Sequence, residues 1–489
     1  MTIAVKPPLS AFRNDIGDVV RLFYGEGAAV EEGQTADMRL RHTHIEKDGV
    51  WTEHVELADG NGLIAEEILS APSVHGGLEE KRQLKRLVKR CCYQLMKRVA
   101  GRRPAWGSLT GIRPTRLYYQ QLEAGKTREE TRKTLSDLFD LSDEKIALLD
   151  EIIDAQQGLI SRDPRACDLY IGIPFCTTRC AYCSFSSGEI GNGRLVEPYL
   201  DALFHEIEVC AQMVREFGLN VRVGYIGGGT PSSLNTRQLD RLLSHIEKHF
   251  GRLNEFTVEA GRPDTLDEEK LRMICAHPVT RISINPQTMN DDTLVRIGRA
   301  HTAEQTVQTY ELARKIGFDD INMDVIAALP GEDYDKFAYT LERIRELNPE
   351  SLTVHTLAIK RSSRLHEEKY AQNEQDVERM VELGRQTAHE LGMRAYYLYR
   401  QKYMADNLEN VGYAVPEKTC RYNVDNMEET TSVLALGSGG ISKCVMRDEE
   451  KILRAPNIAN IEQYIDRVDE MIERKREAFA VKAAKLQRD

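Results

Sequence analysis

The sequence predicts an α/β protein whose central part is a partial barrel of six βα units, (β/α)6, of the TIM type. A first observation is that short apolar segments alternate with amphipathic helical segments between about residue 165 and residue 391. Parallel strands need such crossover helices, and serial right-handed βα units curl into a barrel. A second observation is the length of 489 residues, which exceeds one ordinary core. We therefore predict an N-terminal α+β extension (1–160), the barrel (161–392) and a smaller C-terminal domain (393–489).

The barrel elements follow one another in a regular order. The predicted strands are 169–173, 221–226, 255–259, 281–284, 321–326 and 351–355. The predicted helices are a stripe over 200–214, then 236–250, a helix from 267, 302–316, 333–347 and 375–391. The extension combines a strand-like run with three helices, at 50–57, 78–99, 129–135 and 143–156. A seventh strand, 393–399, opens the C-terminal region, and charged amphipathic helices are predicted over 461–478 and beyond.

Composition excludes several classes of protein. The formal net charge of −11 argues against a general nucleic-acid binder, because phosphate contacts need a basic surface. No run of 18 apolar residues exists, so no membrane span is expected. The N-terminal residues lack the pattern of a secretory signal, and we expect a cytoplasmic location. In a large chain of this kind the ten cysteines do not suggest a disulfide framework.

Three cysteines form the strongest chemical signal. Cys176, Cys180 and Cys183 have the spacing CxxxCxxC and follow the first predicted strand, where barrel active sites form. Three thiolates on a short loop can hold three irons of a cubane cluster and leave the fourth iron without a protein ligand. A structural zinc site normally has four protein ligands, and no fourth cysteine or histidine lies nearby. The spacing therefore predicts a [4Fe-4S] cluster.

The next two strands end in residues suited to a ligand. Residues 227–231, three glycines followed by Thr230 and a proline, come after the second strand. Glycine has no Cβ and lets backbone groups approach a ligand closely. Glu259 ends the third strand, where a carboxylate needs a partner to be part of a core. Both features predict a small-molecule site beside the cysteines.

Together these motifs resemble the radical S-adenosylmethionine (SAM) superfamily and, within it, the oxygen-independent coproporphyrinogen III oxidase family. Further matches over about residues 165 to 445 are Gln287, Arg299, Asp324 and the glycine-rich stretch 436–442. The resemblance is closest to a branch with a long N-terminal extension, the coproporphyrinogen dehydrogenases. It implies a radical SAM barrel in which SAM chelates the open iron. The reduced cluster would then cleave SAM to methionine and a 5′-deoxyadenosyl radical that abstracts a hydrogen atom.

The resemblance also implies the roles of particular residues. Cys176, Cys180 and Cys183 would hold the cluster, and Tyr170 and Glu259 would be catalytic. The SAM contacts that it implies are Tyr170, Tyr182, Gly228, Gly229, Thr230, Glu259, Gln287, Arg299, Asp324, Ala358 and Ile441. One SAM is expected, and a second remains open. The implied partners are a tetrapyrrole and an electron donor such as flavodoxin or ferredoxin, with no nucleic acid and no membrane.

Basic residues follow the last strands of the predicted barrel. Lys360, Arg361 and Arg364 come after the sixth strand, and Arg400 and Lys402 come after the seventh. Guanidinium groups bind carboxylates in bidentate pairs, so these residues predict an anionic substrate, although a solvated loop is an equal alternative. A pair of tyrosines, at positions 397 and 399, shares one face of a strand and is expected either to stack on a planar ring or to pack in the core.

The resemblance implies oxidative decarboxylation of two propionates of coproporphyrinogen III to vinyl groups, which gives protoporphyrinogen IX in haem biosynthesis. One departure matters: the family has a histidine near the cluster, where this chain has Gly172. Two alternatives therefore remain open. One is a haem-binding protein or haem chaperone, and the other is a radical SAM methyltransferase acting on a porphyrin.

Overall fold

The computed structural model describes residues 1–7, 12–25, 27–111, 113–368, 370, 376–402, 404–449 and 451–487. They form two compact units. Unit 1 comprises Met1–Asp150 and Arg400–Leu408, and unit 2 comprises Glu151–Tyr399 and Glu409–Asp489. Unit 2 thus includes the region of the predicted barrel and most of the chain that follows it. Among the helices of the described residues, none combines the length and the apolar character that a membrane crossing requires.

Unit 1 is a five-stranded sheet with two helices packed on one face. Its elements are β1 (Ile3–Lys6), α1 (Arg13–Tyr24), β2 (Ala29–Glu31), β3 (Met38–Lys47), β4 (Val50–Asp59), β5 (Gly62–Pro72), α2 (Gly77–Ala100), α3 (Pro114–Glu123) and α4 (Arg128–Phe139). The strand order is β2-β1-β3-β4-β5. Alternate residues of β4 are buried, as expected for a strand with one face in a core. The predicted strand and helices of the extension are confirmed.

Unit 2 contains the remaining elements. Helix α5 (Asp143–Ala155) leads into it. Its strands are β6 (Ala166–Ile173), β7 (Phe175–Cys176), β8 (Gly188–Glu189), β9 (Asn220–Gly228), β10 (Glu255–Gly261), β11 (Arg281–Ile284), β12 (Ile321–Ala327), β13 (Ser351–Thr356), β14 (Arg394–Tyr399), β15 (Asn410–Ala414), β16 (Ser432–Leu436), β17 (Ile441–Met446) and β18 (Lys451–Pro456). Its helices are α6 (Val196–Glu216), α7 (Thr236–Phe250), α8 (Glu268–Ala276), α9 (Asp291–Arg296), α10 (Ala303–Ile316), α11 (Tyr334–Leu347), α12 (Arg364–Glu367), α13 (Val377–Glu390), α14 (Arg421–Glu428), α15 (Ile461–Asp466) and α16 (Val468–Leu486).

The six predicted barrel strands are neighbours in one sheet. Its order is β14-β15-β13-β12-β11-β10-β9-β6-β16-β17-β18, and β6 to β13 pair in parallel. This confirms the α/β class and the serial βα units. The C-terminal strands extend both edges, since β16 joins β6 in parallel and β15 joins β13 antiparallel. The sheet is therefore a partial barrel with C-terminal strands added at both edges.

Local signals in the sequence set the helix boundaries. Helices α7 and α10 begin with capping boxes at Asn235 and Thr302, which satisfy two free backbone amides each. The predicted helix from residue 375 is α13, and residue 375 itself lies outside the described residues. The charged helices predicted from residue 461 onward are α15 and α16, with an interruption at Arg467.

A buried carboxylate explains that interruption. Glu206 on α6 accepts from Tyr464 Oη at 2.7 Å and from Lys475 Nζ at 2.7 Å. On a straight helix the Cα atoms of Tyr464 and Lys475 would be about 16 Å apart, too far for both to reach one carboxylate comfortably. Breaking the helix brings both to Glu206, which has no solvent-exposed surface.

The same carboxylate holds the glycine-rich turn between β16 and β17. Glu206 accepts from the amide of Gly437 at 2.7 Å and from Asn457 Nδ2 at 2.9 Å. Asn457 also donates to the carbonyl of Gly437 at 2.8 Å. A buried ion pair is stable only when its remaining polar atoms are hydrogen-bonded, and here they are. Glu206 therefore fixes the turn that lies beside strand β6.

Replacing Lys475 with methionine should destabilise unit 2 strongly. The change leaves the Glu206 carboxylate buried without its cation, which typically costs about 3–5 kcal/mol. Thermal unfolding followed by circular dichroism measures the effect. The matched control is Arg476→Met, which removes a surface pair with Glu216 at 2.8 Å and should cost no more than about 1 kcal/mol. Equal losses in the two variants would contradict a central role for the buried pair.

Candidate active site

The three cysteines of the CxxxCxxC motif lie on the loop that follows β6. Cys176 ends the short strand β7, and the amide of Cys183 donates to the carbonyl of Cys180 at 3.1 Å. All three thiols are partly exposed. Burial raises the pKa of the Cys183 thiol, and the neighbouring charges of Cys180 and Cys176 raise it further. The three sulfurs are therefore close enough to interact.

The cysteine motif fits a cluster whose fourth iron has no protein ligand. Within the part of the chain that the structure describes, the three sulfurs are not gathered within 4.8 Å of one another. Thiolates on one tetrahedral zinc, with bonds of about 2.3 Å, would lie about 3.8 Å apart. A cubane places its thiolates on separate iron atoms, which requires wider spacing. The donor set thus fits an iron–sulfur cluster.

Neighbouring loops hold the cysteine loop from three sides. The amide of Ala181 donates to the carbonyl of Ile297 at 2.9 Å, and the amide of Leu365 donates to the carbonyl of Ala181 at 3.1 Å. Arg262 donates to the carbonyl of Thr178 at 3.1 Å. These contacts come from the loops after β10, β11 and β13, so the loop is fixed before any ligand binds.

The glycine run after β9 lies directly against this loop. The amide of Gly229 donates to the carbonyl of Ile173 at 2.7 Å. A Cβ on Gly229 would stand 2.6 Å from the carbonyl oxygen of Phe175 and 3.0 Å from the sulfur of Cys176. Gly228 has φ +110°, which disfavours any side chain. Thr230 Oγ1 donates to the Cys176 sulfur at 3.5 Å. The absence of side chains is therefore a steric requirement of the site.

Glu259 is held by tyrosines inside the sheet. Tyr225 Oη donates to Glu259 Oε1, and a Cβ on Gly227 would stand 2.9 Å from the other carboxylate oxygen. The Tyr225 ring stacks on Tyr422 at 4.6 Å and on Tyr170 at 6.4 Å. Burial raises the pKa of Glu259 to about 7, although the hydrogen bond from Tyr225 opposes this shift. Glu259 is therefore a carboxyl group that titrates near neutral pH in the absence of a cationic ligand.

Two further predicted residues lie side by side, Gln287 after β11 and Asp324 within β12. Gln287 has φ +66°, and its buried Oε1 has no hydrogen-bond partner among the described residues. The backbone N–H of Gln287 donates to the carbonyl of Asp324 at 2.9 Å. Burial would raise the pKa of Asp324, but His355, with Asn322 and Thr353, holds the pKa below its usual range. A left-handed backbone conformation and an unpaired side-chain oxygen on the same residue are typical of a ligand site.

Arg299 ties this group to the cysteine loop. It donates through Nη1 to the carbonyl of Asn285 at 2.9 Å and through Nη2 to Tyr182 Oη at 3.2 Å. Its Nε is buried without a partner among the described residues. Charge from Tyr182 and Cys180 raises the pKa of Arg299 despite its burial. Arg299 therefore places a fixed positive charge beside the cysteines.

The last two predicted residues are placed by topology. Ala358 follows β13, and Ile441 begins β17, which runs antiparallel to β16. Both therefore lie at the edge where the parallel strands end, the same edge as the cysteine loop. Ile441 is exposed and Ala358 is partly buried.

Two residues of this group were not predicted from the sequence. Tyr225 is the register partner of Tyr170, and each stands two residues before a glycine. This shared position before a glycine could have identified Tyr225 from the sequence. His355 is the penultimate residue of β13, with Nε2 3.7 Å from Asp324 Oδ2 and Nδ1 3.5 Å from Tyr399 Oη. His355 lies near Asp324 because β12 and β13 pair in parallel. The sequence of either strand alone does not reveal that pairing.

The predicted substrate residues have different surroundings. Arg361 and Arg364 are exposed, and Arg364 pairs with Glu368 at 3.3 Å. Arg400 is buried in unit 1, where it donates to the carbonyls of Leu109 at 2.6 Å and Asn407 at 2.7 Å. Its assignment to a substrate carboxylate is therefore wrong, because its guanidinium is used by backbone carbonyls. The exposed Lys402 pairs with Asp18 at 3.5 Å.

The tyrosines of β14 have a mainly structural role. Tyr396 and Tyr397 are buried in an apolar cluster together with Tyr422. The Tyr397 ring lies against Gly412, and it stacks on Tyr399 at 6.5 Å with an interplanar angle of 8°. Core packing, one of the two predicted alternatives, therefore describes Tyr397.

A parallel sheet whose first loop gathers three cysteines against a glycine run defines a radical SAM protein. Residues 170–344 match the family model described as "Radical SAM superfamily". Enzymes of this superfamily use a [4Fe-4S] cluster and SAM, and the unsatisfied Gln287 and Arg299 atoms fit a polar ligand beside such a cluster.

The chain belongs to the family of oxygen-independent coproporphyrinogen III oxidase-like proteins. It is 39% identical over 408 residues to the oxygen-independent coproporphyrinogen-III oxidase-like protein HemZ of Bacillus subtilis, which covers 81% of each chain. It is 36% identical over 193 residues to the heme chaperone HemW of the same organism, covering 39% of this chain and 50% of HemW. The structure of coproporphyrinogen III oxidase (HemN) from Escherichia coli, a radical SAM enzyme, matches with a TM-score of 0.52 and 25% identity. That match covers 64% of this chain and 72% of HemN.

Gly229→Ala should prevent normal cluster assembly. The new Cβ would overlap the Phe175 carbonyl and the Cys176 sulfur, and both belong to backbone that is hydrogen-bonded in place. We expect the iron and sulfide content after anaerobic reconstitution to fall well below that of the unchanged protein. Gly60→Ala is the control, because a Cβ there meets nothing within 4 Å. Full iron content in Gly229→Ala would show that the close approach is not needed.

Glu259 makes stability depend on pH in a defined direction. Its pKa in the folded protein, about 7, lies above the ordinary 4.5, so the folded state binds more protons between these values. The stability of the cluster-free protein should therefore fall as pH rises from about 4.5 through 7. Glu259→Gln removes this loss and should raise the melting temperature at about pH 8 but not at about pH 4. Glu269→Gln, an exposed control, should show no such difference. A Glu259→Gln effect that is the same at both pH values would contradict the assignment.

Proposed function

We propose that this chain is an oxygen-independent coproporphyrinogen III oxidase (dehydrogenase) that converts two propionate side chains to vinyl groups, in haem biosynthesis. The observation that carries the proposal is the 39% identity to HemZ over 81% of both chains. The cysteine loop, the glycine run and Glu259 lie within the matched radical SAM region.

In this proposal Cys176, Cys180 and Cys183 hold the [4Fe-4S] cluster. When bound and reduced, the cluster supplies an electron that cleaves SAM and generates a 5′-deoxyadenosyl radical. Gly228 and Gly229 line the approach to Cys176 with backbone alone, and the Thr230 hydroxyl contacts the Cys176 sulfur. They would receive the methionine part of SAM.

Polar residues of the site would orient the rest of SAM. Glu259, held by Tyr225 and stacked near Tyr170, would accept hydrogen bonds from SAM, and a cationic ligand would favour its charged form. Asp324 stays ionised beside His355 and can accept from hydroxyl groups. Gln287 and Arg299 would use their unpartnered buried atoms, while Tyr182 positions Arg299. Ala358 and Ile441 would line the edge of this pocket.

For each propionate, four changes together balance the atoms and electrons of the reaction. One hydrogen atom would be lost from the β-carbon to the radical derived from SAM, which would leave as 5′-deoxyadenosine. The carbon–carbon bond to the carboxylate would then break and release carbon dioxide, a vinyl group would form, and one electron would pass to an external acceptor. A one-electron donor such as flavodoxin or ferredoxin would reduce the cluster. Two propionates require two SAM cleavages, whether SAM binds once or twice per cycle.

Basic residues beyond β13 would bind the substrate carboxylates. Arg361 and Arg364 are exposed near the cysteine loop, since Ser362, between them, accepts from Arg179 through its carbonyl at 2.6 Å. Lys360 is half-buried in the same loop, and burial lowers its pKa. A propionate there would gain a charge-assisted hydrogen bond.

A second candidate function is a haem chaperone. The observation that favours it is the surroundings of Gly172, whose carbonyl accepts from Tyr199 Oη at 2.5 Å. A Cβ on Gly172 would stand 3.4 Å from the Ser438 carbonyl and 3.5 Å from the Leu436 carbonyl. A side chain at position 172 would therefore contact the glycine-rich turn, and the glycine places no imidazole there. The match to HemW supports the same alternative.

Anaerobic turnover with coproporphyrinogen III tests the proposal. The reconstituted protein, with SAM and a reductant, should form 5′-deoxyadenosine and products that have lost one and two carbon dioxide molecules. Cys183→Ala should abolish both readouts, because only two thiolates remain for the cluster. Cys275→Ala, which removes an exposed cysteine on α8, should leave both unchanged.

The other outcomes separate the alternatives. Deoxyadenosine without a vinyl product would overturn the oxidase assignment. Stoichiometric haem binding without SAM turnover would support the chaperone. Transfer of a labelled methyl group from SAM to the porphyrin would support a methyltransferase.

A further inference from the structure

Two helices on the outside of unit 2 bring together a second set of metal-binding side chains. His245 and His249 are one turn apart on α7, so they share one face of that helix. Glu208 approaches them from α6. One possible ligand atom from each residue lies within 4.8 Å of the others. These residues take no part in the site proposed for the cluster and SAM.

The distances match shared coordination better than hydrogen bonding. Glu208 Oε1 lies 3.5 Å from His245 Nε2 and 3.7 Å from His249 Nε2. A charge-assisted hydrogen bond would be about 2.7–2.9 Å long. Two ligands on a tetrahedral zinc, with bonds of about 2.0–2.1 Å, lie about 3.3–3.4 Å apart. A small side-chain shift would therefore place both histidines and the carboxylate on one ion.

The imidazole nitrogens that face Glu208 are weakly hydrogen-bonded. His249 Nε2 is buried and has no hydrogen-bond partner among the described residues. His245 Nε2 lies 3.3 Å from the carbonyl of Phe204, a long hydrogen bond that a metal ion would have to replace. An unprotonated imidazole nitrogen is the form that binds a transition metal.

Two other histidine–carboxylate groups in the described residues are built differently. His277 Nε2 lies 2.9 Å from Asp240 Oδ1, an ordinary hydrogen-bond length. His54 is grouped with Glu56 and Glu66, but its imidazole is hydrogen-bonded to Glu66 at 2.9 Å. Neither group has two histidines facing one carboxylate oxygen.

We propose that Glu208, His245 and His249 form a site for one divalent transition-metal ion of the zinc class, with water in the fourth position. Two imidazoles and one carboxylate suit zinc, and an i, i+4 histidine pair is a common way to present them. The ion would join α6 to α7, the crossover helices that follow β6 and β9. Those two strands lead into the cysteine loop and the glycine run, so the site would stabilise the region that supports both.

Isothermal titration of the cluster-loaded protein with zinc, without oxygen, tests the site. Iron content measured before and after the titration shows that the cluster thiolates remain occupied by iron. We expect one zinc per chain, with affinity lowered at least about tenfold in Glu208→Gln and in His249→Gln. His277→Gln is the matched control and should bind zinc like the unchanged protein. Zinc should also raise the melting temperature, since it binds only the folded arrangement.

Two results would overturn the proposal. One is an unchanged zinc isotherm in the double variant His245→Ala/His249→Ala, which would locate the ion elsewhere. The other is no zinc binding by the unchanged protein. The experiment measures zinc binding and not turnover, so its result does not depend on the oxidase assignment.

Discussion

Backbone pairing between the cysteine loop and the glycine run is the constraint on which the candidate site depends. The amides of Gly229 and Thr230 donate to the carbonyls of Ile173 and Phe175, both at 2.7 Å. These bonds continue the parallel register of β6 with β9 beyond the ends of the strands. A loop held in this way keeps its thiols in place without a ligand. The pairing also requires glycine at position 229, because a Cβ there would overlap the cysteine loop.

The support for this pairing comes from distant parts of the chain. Strand β16 lies beside β6, and its following turn is held by Glu206. Glu206 receives Lys475 and Tyr464 from two separate C-terminal helices. The C-terminal region therefore completes the cluster side of the sheet, although it contributes no cysteine ligand. Tyr199 Oη accepts from the amide of Ser438 in this turn and donates to the carbonyl of Gly172. Loss of the buried pair would therefore also disturb the position of Gly172.

Much of this arrangement could be predicted from the sequence, because local patterns determined it. The strand–helix alternation gave all six parallel strands, and motif spacing located the cysteines, the glycine run and Glu259. What could not be predicted depends on contacts between distant residues. The addition of β15 and β16 to opposite edges has no local signature. The break at Arg467 exists because two residues share one buried carboxylate. Arg400 looked like a substrate ligand by its position after a strand, but backbone carbonyls use its guanidinium.

The tyrosines inside the sheet bear on where a large substrate would bind. Tyr170, Tyr225 and Tyr422 form a continuous stack, and Tyr396 and Tyr397 fill the adjoining core. Aromatic rings packed in this way are costly to displace, since each buries a large apolar surface. The tetrapyrrole substrate that we propose would therefore bind at the open edge of the strands and not between them. That edge is where Glu259 and the cysteine loop lie, and the exposed Arg361 and Arg364 follow β13 there. A planar substrate with acidic side chains would thus meet the radical chemistry and the positive charges on the same side of the sheet.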